Sequence, residues 1–232
     1  MPDHSTDENA KPIAILFDID STLITTGGAG GAAWRVAFQD LFGVDVDIAK
    51  YSESGQTDPE VALLCFRGAV RREPHHRELT RVINGYLAAL PATVASSSGY
   101  RVMPGVPALL TRLREADILL GLTTGNVEAA AHIKLERAHL NEFFGFGGYG
   151  SDASDRTELT RRAIERAGTL CGSPIDPARC DVVGDTPRDV AAAHGAGAVA
   201  VGVATGVYST DQLRATGAEH VLRDLTEPFP GV

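Results

Sequence analysis

The chain has 232 residues, 44% of them hydrophobic and 22% charged, enough for one large domain or a core carrying a smaller one. Its formal net charge of -9 excludes a general nucleic-acid or anionic-membrane binder, since both need a positive field. A small anionic ligand in a locally basic pocket stays open. No apolar stretch is long enough to cross a bilayer.

Residues 1–11 read as a disordered tail, because Met1 to Asn9 are polar and acidic and lack the apolar run of a signal peptide. Cys65, Cys171 and Cys180 are odd in number and lack metal-ligand spacing, so free thiols in a reducing cytoplasm are expected. Ile13 to Phe17 is an uncharged apolar run that reads as a strand buried on both faces, and it ends in Asp18-Ile19-Asp20-Ser21-Thr22. A Gly-rich turn follows, then a helix from Ala32 to Phe42 closed by Gly43. Further helices are expected over Pro59–Val70, with Asp58 as N-cap, and over Glu78–Leu90, stopped by Pro91. From about Pro104 the pattern alternates. Strands are expected at Ile118–Thr123, Phe146–Tyr149, Cys180–Gly184, Ala198–Val203 and His220–Leu222. Helices fall between them, including Val127–Leu140, Thr157–Ala167 with Asp155 as a cap, Pro187–His194 and Asp211–Ala215. Such alternation implies an α/β fold: a doubly wound parallel, Rossmann-like sheet with helices on both faces. The helical stretch 27–101 reads as an inserted all-helical cap, leaving 12–26 and 102–232 as the core.

Three strand ends carry chemistry, and all fall where such a sheet binds ligands. The first is the pair Asp18 and Asp20, two acids whose desolvation must be offset by a metal or a catalytic task. The second, Thr124-Gly125-Asn126, offers a hydroxyl and backbone N–H groups at a helix start, which suits a phosphate. The third, Gly184-Asp185-Thr186-Pro187-Arg188-Asp189, places two carboxylates around a helix start, a donor type that Mg²⁺ prefers. Alone, the first reads equally as a turn with a cap, the second more often as a simple turn, and the third can be a plain helix start; the three in this order, each on a strand end, do not.

On these residues the chain resembles the haloacid dehalogenase-like hydrolase superfamily, of the type with a helical cap after the first motif. The resemblance covers nearly everything beyond the tail. Asp18, Asp20 and Thr22 match the first motif, Thr124 the second, and Gly184, Asp185 and Asp189 the fourth. The third motif departs: the family usually has a lysine there, sometimes an arginine, and no lysine follows Lys134. Of Arg156, Arg161, Arg162, Arg166 and Arg179, only Arg156 sits at a loop-to-helix junction, so it takes that place, with surface pairing to Asp152 or Glu158 as the alternative.

The resemblance implies a phosphatase acting on a small phosphorylated metabolite. Asp18 would be the nucleophile and Asp20 the acid and base. Mg²⁺ would lie between Asp18, Asp185 and the backbone carbonyl of Asp20, and Thr124, Gly125, Asn126 and Arg156 would hold phosphate, supported by Asp189. The dehalogenases lack the second acid, so Asp20 favours phosphoryl chemistry. A phosphonate-cleaving relative would want a cap lysine, and Lys50 lies in a segment that reads as solvated. Gln56 and Thr57 are candidate substrate contacts from the cap, or simply a helix-start loop. In many phosphoglycolate phosphatase-like members an arginine stands where Gln56 does. A phosphoglucomutase-like phosphotransferase and a silent binding protein are the alternatives. A monomer or homodimer in the cytoplasm, without nucleic acid or membrane, is expected.

Overall fold

A computed structural model describes residues 11–232; the tail expectation falls, but for Lys11, outside the described residues. Strand β1 (Ala14–Phe17) is buried at every position. It is flanked in parallel by β4 (Leu119–Thr124) on one side and β6 (Cys180–Gly184) on the other. Beyond these lie β5 (Phe146–Tyr149) on the first side and β7 (Val199–Val203) and β8 (His220–Leu222) on the second. The sheet order is therefore β5-β4-β1-β6-β7-β8. The chain winds outward from β1 one way and then returns to wind the other way. The C-terminal ends of β1, β4 and β6 thus flank the switch in winding direction, where adjacent crossovers diverge and leave a crevice.

Helices cover both faces: α4 (Val106–Glu115), α5 (Glu128–Glu136), α6 (Arg156–Cys171), α7 (Pro187–Ala196) and the short α8 (Thr210–Ala215). The remaining three, α1 (Ala29–Phe42), α2 (Asp58–Cys65) and α3 (His76–Ser96), pack on one another. Their apolar cluster is built on Trp34, Phe38, Phe66 and Tyr86, and it takes Val127 and Ala130 from the α5 region. Trp34 stacks on Tyr86 with centroids 4.1 Å apart and planes 2° from parallel, a pair worth about 0.5–1.5 kcal/mol beyond its buried area. The two strands of chain that lead into and out of this helical layer, β2 (Ile24–Thr25) and β3 (Arg101–Val102), pair as a small antiparallel ladder. They then pass so closely that a Cβ on Gly27 would lie 2.3 Å from the Gly99 carbonyl carbon. Only glycine allows that crossing. Among the described residues no helix is long and apolar enough to cross a membrane.

Two helix expectations are corrected. Helix α3 does not stop at Pro91 but continues to Ser96. The proline ring lies on an exposed face, and Val82, Tyr86, Leu90 and Val94 are buried on the other, so packing outweighs the lost backbone hydrogen bond. Helix α2 is capped by Thr57, not Asp58. The Thr57 hydroxyl accepts from Glu60 N–H and the Glu60 carboxylate accepts from Thr57 N–H, a reciprocal box with Asp58 and Pro59 in the first turn.

Candidate active site

Strand β1 carries Asp18 to the crevice and holds it by a backbone bond from its N–H to Val183 O, 2.9 Å. The chain then turns sharply. Ser21 adopts a left-handed φ of 65°, its N–H donates to Ile24 O at 2.7 Å, and its own carbonyl accepts from Thr205 Oγ1 at 2.5 Å. The turn aims Thr22 inward, where its fully buried hydroxyl reaches Asp185 Oδ1 at 3.4 Å. Asp185 and Asp189 come from the end of β6 and the first turn of α7. One carboxylate oxygen from each of Asp18, Asp185 and Asp189 lies within 4.8 Å of the others, all three residues buried.

Such crowding is costly. Burial, and then the neighbouring Asp189, push the Asp18 carboxyl up to about 7 against the pull of Arg156. Burial, then Asp18 and Asp189, push Asp185 up to about 8. The three acids are not equivalent. Asp189 Oδ2 accepts from Thr186 N–H at 3.0 Å and from its hydroxyl at 2.7 Å, while Oδ1 meets Arg156 Nη2. Among the described residues Asp185 has the long Thr22 contact and its own backbone N–H. Hard oxygen donors, one of them underpartnered, are a set that Mg²⁺ fits.

Arg156 is N1 of α6, behind the N-cap Asp155 whose side chain accepts from Glu158 N–H. Its side chain points inward and is 11% exposed, with Nη2 against Asp189 and 3.5 Å from Asp18 Oδ1, and Nη1 3.4 Å from Gly55 O. The surface alternative does not apply, because Asp152 pairs with Arg166 and Glu158 with Arg161 and Arg162.

Strand β4 delivers Thr124, fully buried, whose Oγ1 accepts from Asn126 N–H at 3.3 Å and Asn126 Nδ2 at 2.8 Å. With its lone pairs taken, that hydroxyl keeps its proton to donate elsewhere. The Asn126 amide is fully engaged and is not a free phosphate ligand. Its Nδ2 also donates to Asp20 Oδ2 at 2.9 Å, and its Oδ1 accepts from Lys134 Nζ at 2.6 Å. Gly125 O accepts from Asp58 N–H at 2.8 Å. A Cβ on Gly125 would meet Gln56 O at 2.5 Å, so the turn must be glycine for this approach.

Lys134 and Asp58 were not expected here. Lys134, in α5, is 6% exposed and donates to Asp20 Oδ2 at 2.7 Å. Burial disfavours the charge on Asp20, but the charge and hydrogen bond of Lys134, with Asn126, outweigh it and hold the carboxyl below its usual range. Asp58 crosses from the helical layer, and its Oδ2 accepts from Val127 N–H at 2.9 Å, next to the start of α5. Burial pushes it up to about 6 despite the attraction of Lys134.

These groups line a cavity of about 340 Å³ roofed by Gly30, Trp34, Ile48, Val61 and Tyr86. Gln56 lines it too, though its Oε1 is tied to Glu53 N–H at 2.8 Å. Thr57 does not line it, being fully buried as the cap of α2, so its candidacy as a substrate contact is withdrawn. Lys50 is exposed, as expected of a solvated side chain, while its neighbours Ile48 and Ala49 face the cavity.

Residues 14–197 match the family model for haloacid dehalogenase-like hydrolases, and the chain belongs to that family. It is 29% identical over 222 residues to a protein of Dickeya dadantii named probable phosphatase IndB, covering 94% of this chain and 91% of that one. It is 28% identical over 210 residues to a phosphoglycolate phosphatase of Synechococcus elongatus, covering 90% and 92%. Among solved structures, CbbY from Rhodobacter sphaeroides in complex with phosphate shares the fold with a TM-score of 0.73 at 21% identity, covering 93% and 96%.

Proposed function

We propose that this chain is a phosphatase that hydrolyses a small phosphomonoester through a phosphate ester on Asp18. The observation that carries the reading is the division of labour between two acids one residue apart. Asp18 lies in the acidic cluster beside Arg156, and Asp20 lies beside Lys134 and Asn126. Each carboxyl has its own cation and its own hydrogen-bond partners, and neighbouring acids separated in this way can take different tasks. Relatives named as phosphatases support the same reading.

In this reading the Asp18 carboxylate attacks phosphorus and the alcohol departs with a proton from Asp20. Asp20 then takes a proton from the water that releases phosphate. Arg156 and the Thr124 hydroxyl orient the phosphoryl oxygens, with backbone N–H groups of the 124–126 turn as further donors. Asp189 fixes Arg156. Asp18, Asp185 and the Asp20 carbonyl would hold Mg²⁺, which would supply charge neutralisation for an anionic nucleophile meeting an anionic substrate. The 27–101 helices act as the cap that excludes water from the 340 Å³ cavity, and that size suits a sugar-phosphate-scale substrate.

The test is a panel of phosphomonoesters with Mg²⁺, read by free phosphate, on the wild type and Asp18→Asn. Turnover in the wild type and its loss in a folded Asp18→Asn are expected. Retained turnover in the variant would remove Asp18 as nucleophile, and an inactive wild type across the panel would remove the reading.

A further inference from the structure

Resting on the phosphatase reading, we propose that Lys134 is a positioning residue for the proton transfers at Asp20, presenting one defined carboxylate oxygen to the substrate. Helix α5 starts beside the site and runs away from it, so a residue two turns along would ordinarily lie out of reach. Lys134 bridges that distance because helical side chains lean toward the N-terminus. The residues one turn earlier on its face are Ala130 and Ala131, both fully buried and small enough to leave a lane. The ammonium arrives 2.7 Å from Asp20 Oδ2 and 2.6 Å from Asn126 Oδ1. Asn126 Nδ2 donates to the same Asp20 oxygen at 2.9 Å and to Thr124 Oγ1 at 2.8 Å. Both donors thus converge on Oδ2, leaving Oδ1 to face the reacting ester. A lysine buried to this degree, with an isosteric apolar residue available, is not a surface charge finding a partner.

The proton inventory assigns Lys134 a stationary part. As the bond from Asp18 to phosphorus forms, the bond from phosphorus to the ester oxygen breaks, and that oxygen takes a proton from Asp20 Oδ1, one kept from the water of the preceding turnover or taken up from solvent before the step. The alcohol leaves and Asp20 becomes a carboxylate beside the Lys134 ammonium. In the second half Asp20 Oδ1 takes a proton from water as the water oxygen bonds to phosphorus. The bond to Asp18 breaks, giving inorganic phosphate and the Asp18 carboxylate. Lys134 keeps its protons throughout and fixes the Asp20 rotamer in both halves.

The experiment compares wild type, Lys134→Met and Lys134→Arg with Mg²⁺ on p-nitrophenyl phosphate, whose leaving group needs no proton, and on a simple alkyl phosphate. With Lys134→Met the expected result is a loss of about 10²-fold or more in kcat/KM on the alkyl phosphate. On p-nitrophenyl phosphate a nitrophenol burst at near the wild-type rate is expected, followed by slowed steady turnover. Lys134→Arg should recover part of the alkyl phosphate activity. Equal losses on both substrates with no burst, or no loss on either, would overturn the assignment while leaving the phosphatase reading intact. A wild type inactive on both would remove that reading and this one with it. If Lys134→Met does not fold, Lys134→Gln carries the same comparison, and failure of both to fold makes the residue structural and overturns the proposal.

Discussion

The Asp58 carboxylate offers a prediction in which two small substitutions separate by a calculable amount. The residue docks the helical layer onto the core twice, by its N–H to Gly125 O and by its Oδ2 to Val127 N–H. Burial raises its carboxyl from 3.8 to about 6, so the folded chain holds this proton more tightly than the unfolded one. Its ionisation therefore costs stability as pH rises from about 4 to about 6, and the cost persists above that range. Full ionisation corresponds to about 3 kcal/mol, of which about 2 kcal/mol develops between pH 4.5 and pH 8. Asp58→Asn keeps an oxygen for Val127 N–H and removes the charge. It should gain on the wild type by about 2 kcal/mol across that interval, or roughly 4–8 °C in melting temperature for a chain of this size. Asp58→Ala also removes the charge but strands a buried N–H, so it should lie about 1–3 kcal/mol below Asp58→Asn at both pH values. Urea denaturation of the three proteins at pH 4.5 and 8 decides it. A wild-type to Asn difference that does not change with pH, or an Asn variant as unstable as Ala at pH 8, would refute the reasoning.

Asp185→Asn should abolish stabilisation by Mg²⁺ in a thermal-shift titration. In the wild type, Mg²⁺ affinity should rise from pH 6 to pH 8 as the carboxyls held at about 7 and about 8 lose their protons; equal affinity at both pH values would count against that site. Arg156→Ala should cut kcat/KM by roughly 10²-fold or more, and Arg156→Lys should restore charge but not the fork that spans Asp18, Asp189 and Gly55 O. Kinetics of the two variants that match each other would show that the fork is unnecessary.

What could be read from the sequence follows the range of the interactions. Strands β1, β4, β6 and β7 were legible because a strand buried on both faces is predominantly apolar, even where, as with Asp181 in β6 and Thr123 in β4, a polar residue is buried within it. The Thr57 cap was also written in the sequence, as Thr57-Asp58-Pro59-Glu60 has the spacing of a capping box. The Asp58-Pro59 pair is the stronger local signal and points one residue too far. Pro91 misled for a different reason. Local chemistry stops a helix there, and only the packed row Val82, Tyr86, Leu90 and Val94 carries it onward. The two-residue ladder of Ile24–Thr25 with Arg101–Val102 has no local signature, since each half is meaningless without the other.

The site divides along the same line. The acids and hydroxyls at strand ends are local features, and their spacing marks them. Lys134 carried a weaker signal: it falls four residues after Ala130 and next to Leu135, on the face of α5 that otherwise turns inward. A lysine on an inward face needs a buried anion, and here that anion is Asp20. In a regular strand, residues two apart share a face, so both carboxylates would crowd the same space. The turn at Ser21 follows them, and the chain resolves the crowding with two cations of different kinds. A forked arginine from α6 lies against Asp18 and Asp189, and a single ammonium from α5 lies against Asp20. One cation between the two acids would draw both toward the same ionisation. Two separate cations let Asp18 remain in the acidic cluster while Asp20 is held by itself, and a nucleophile next to a proton carrier requires that separation.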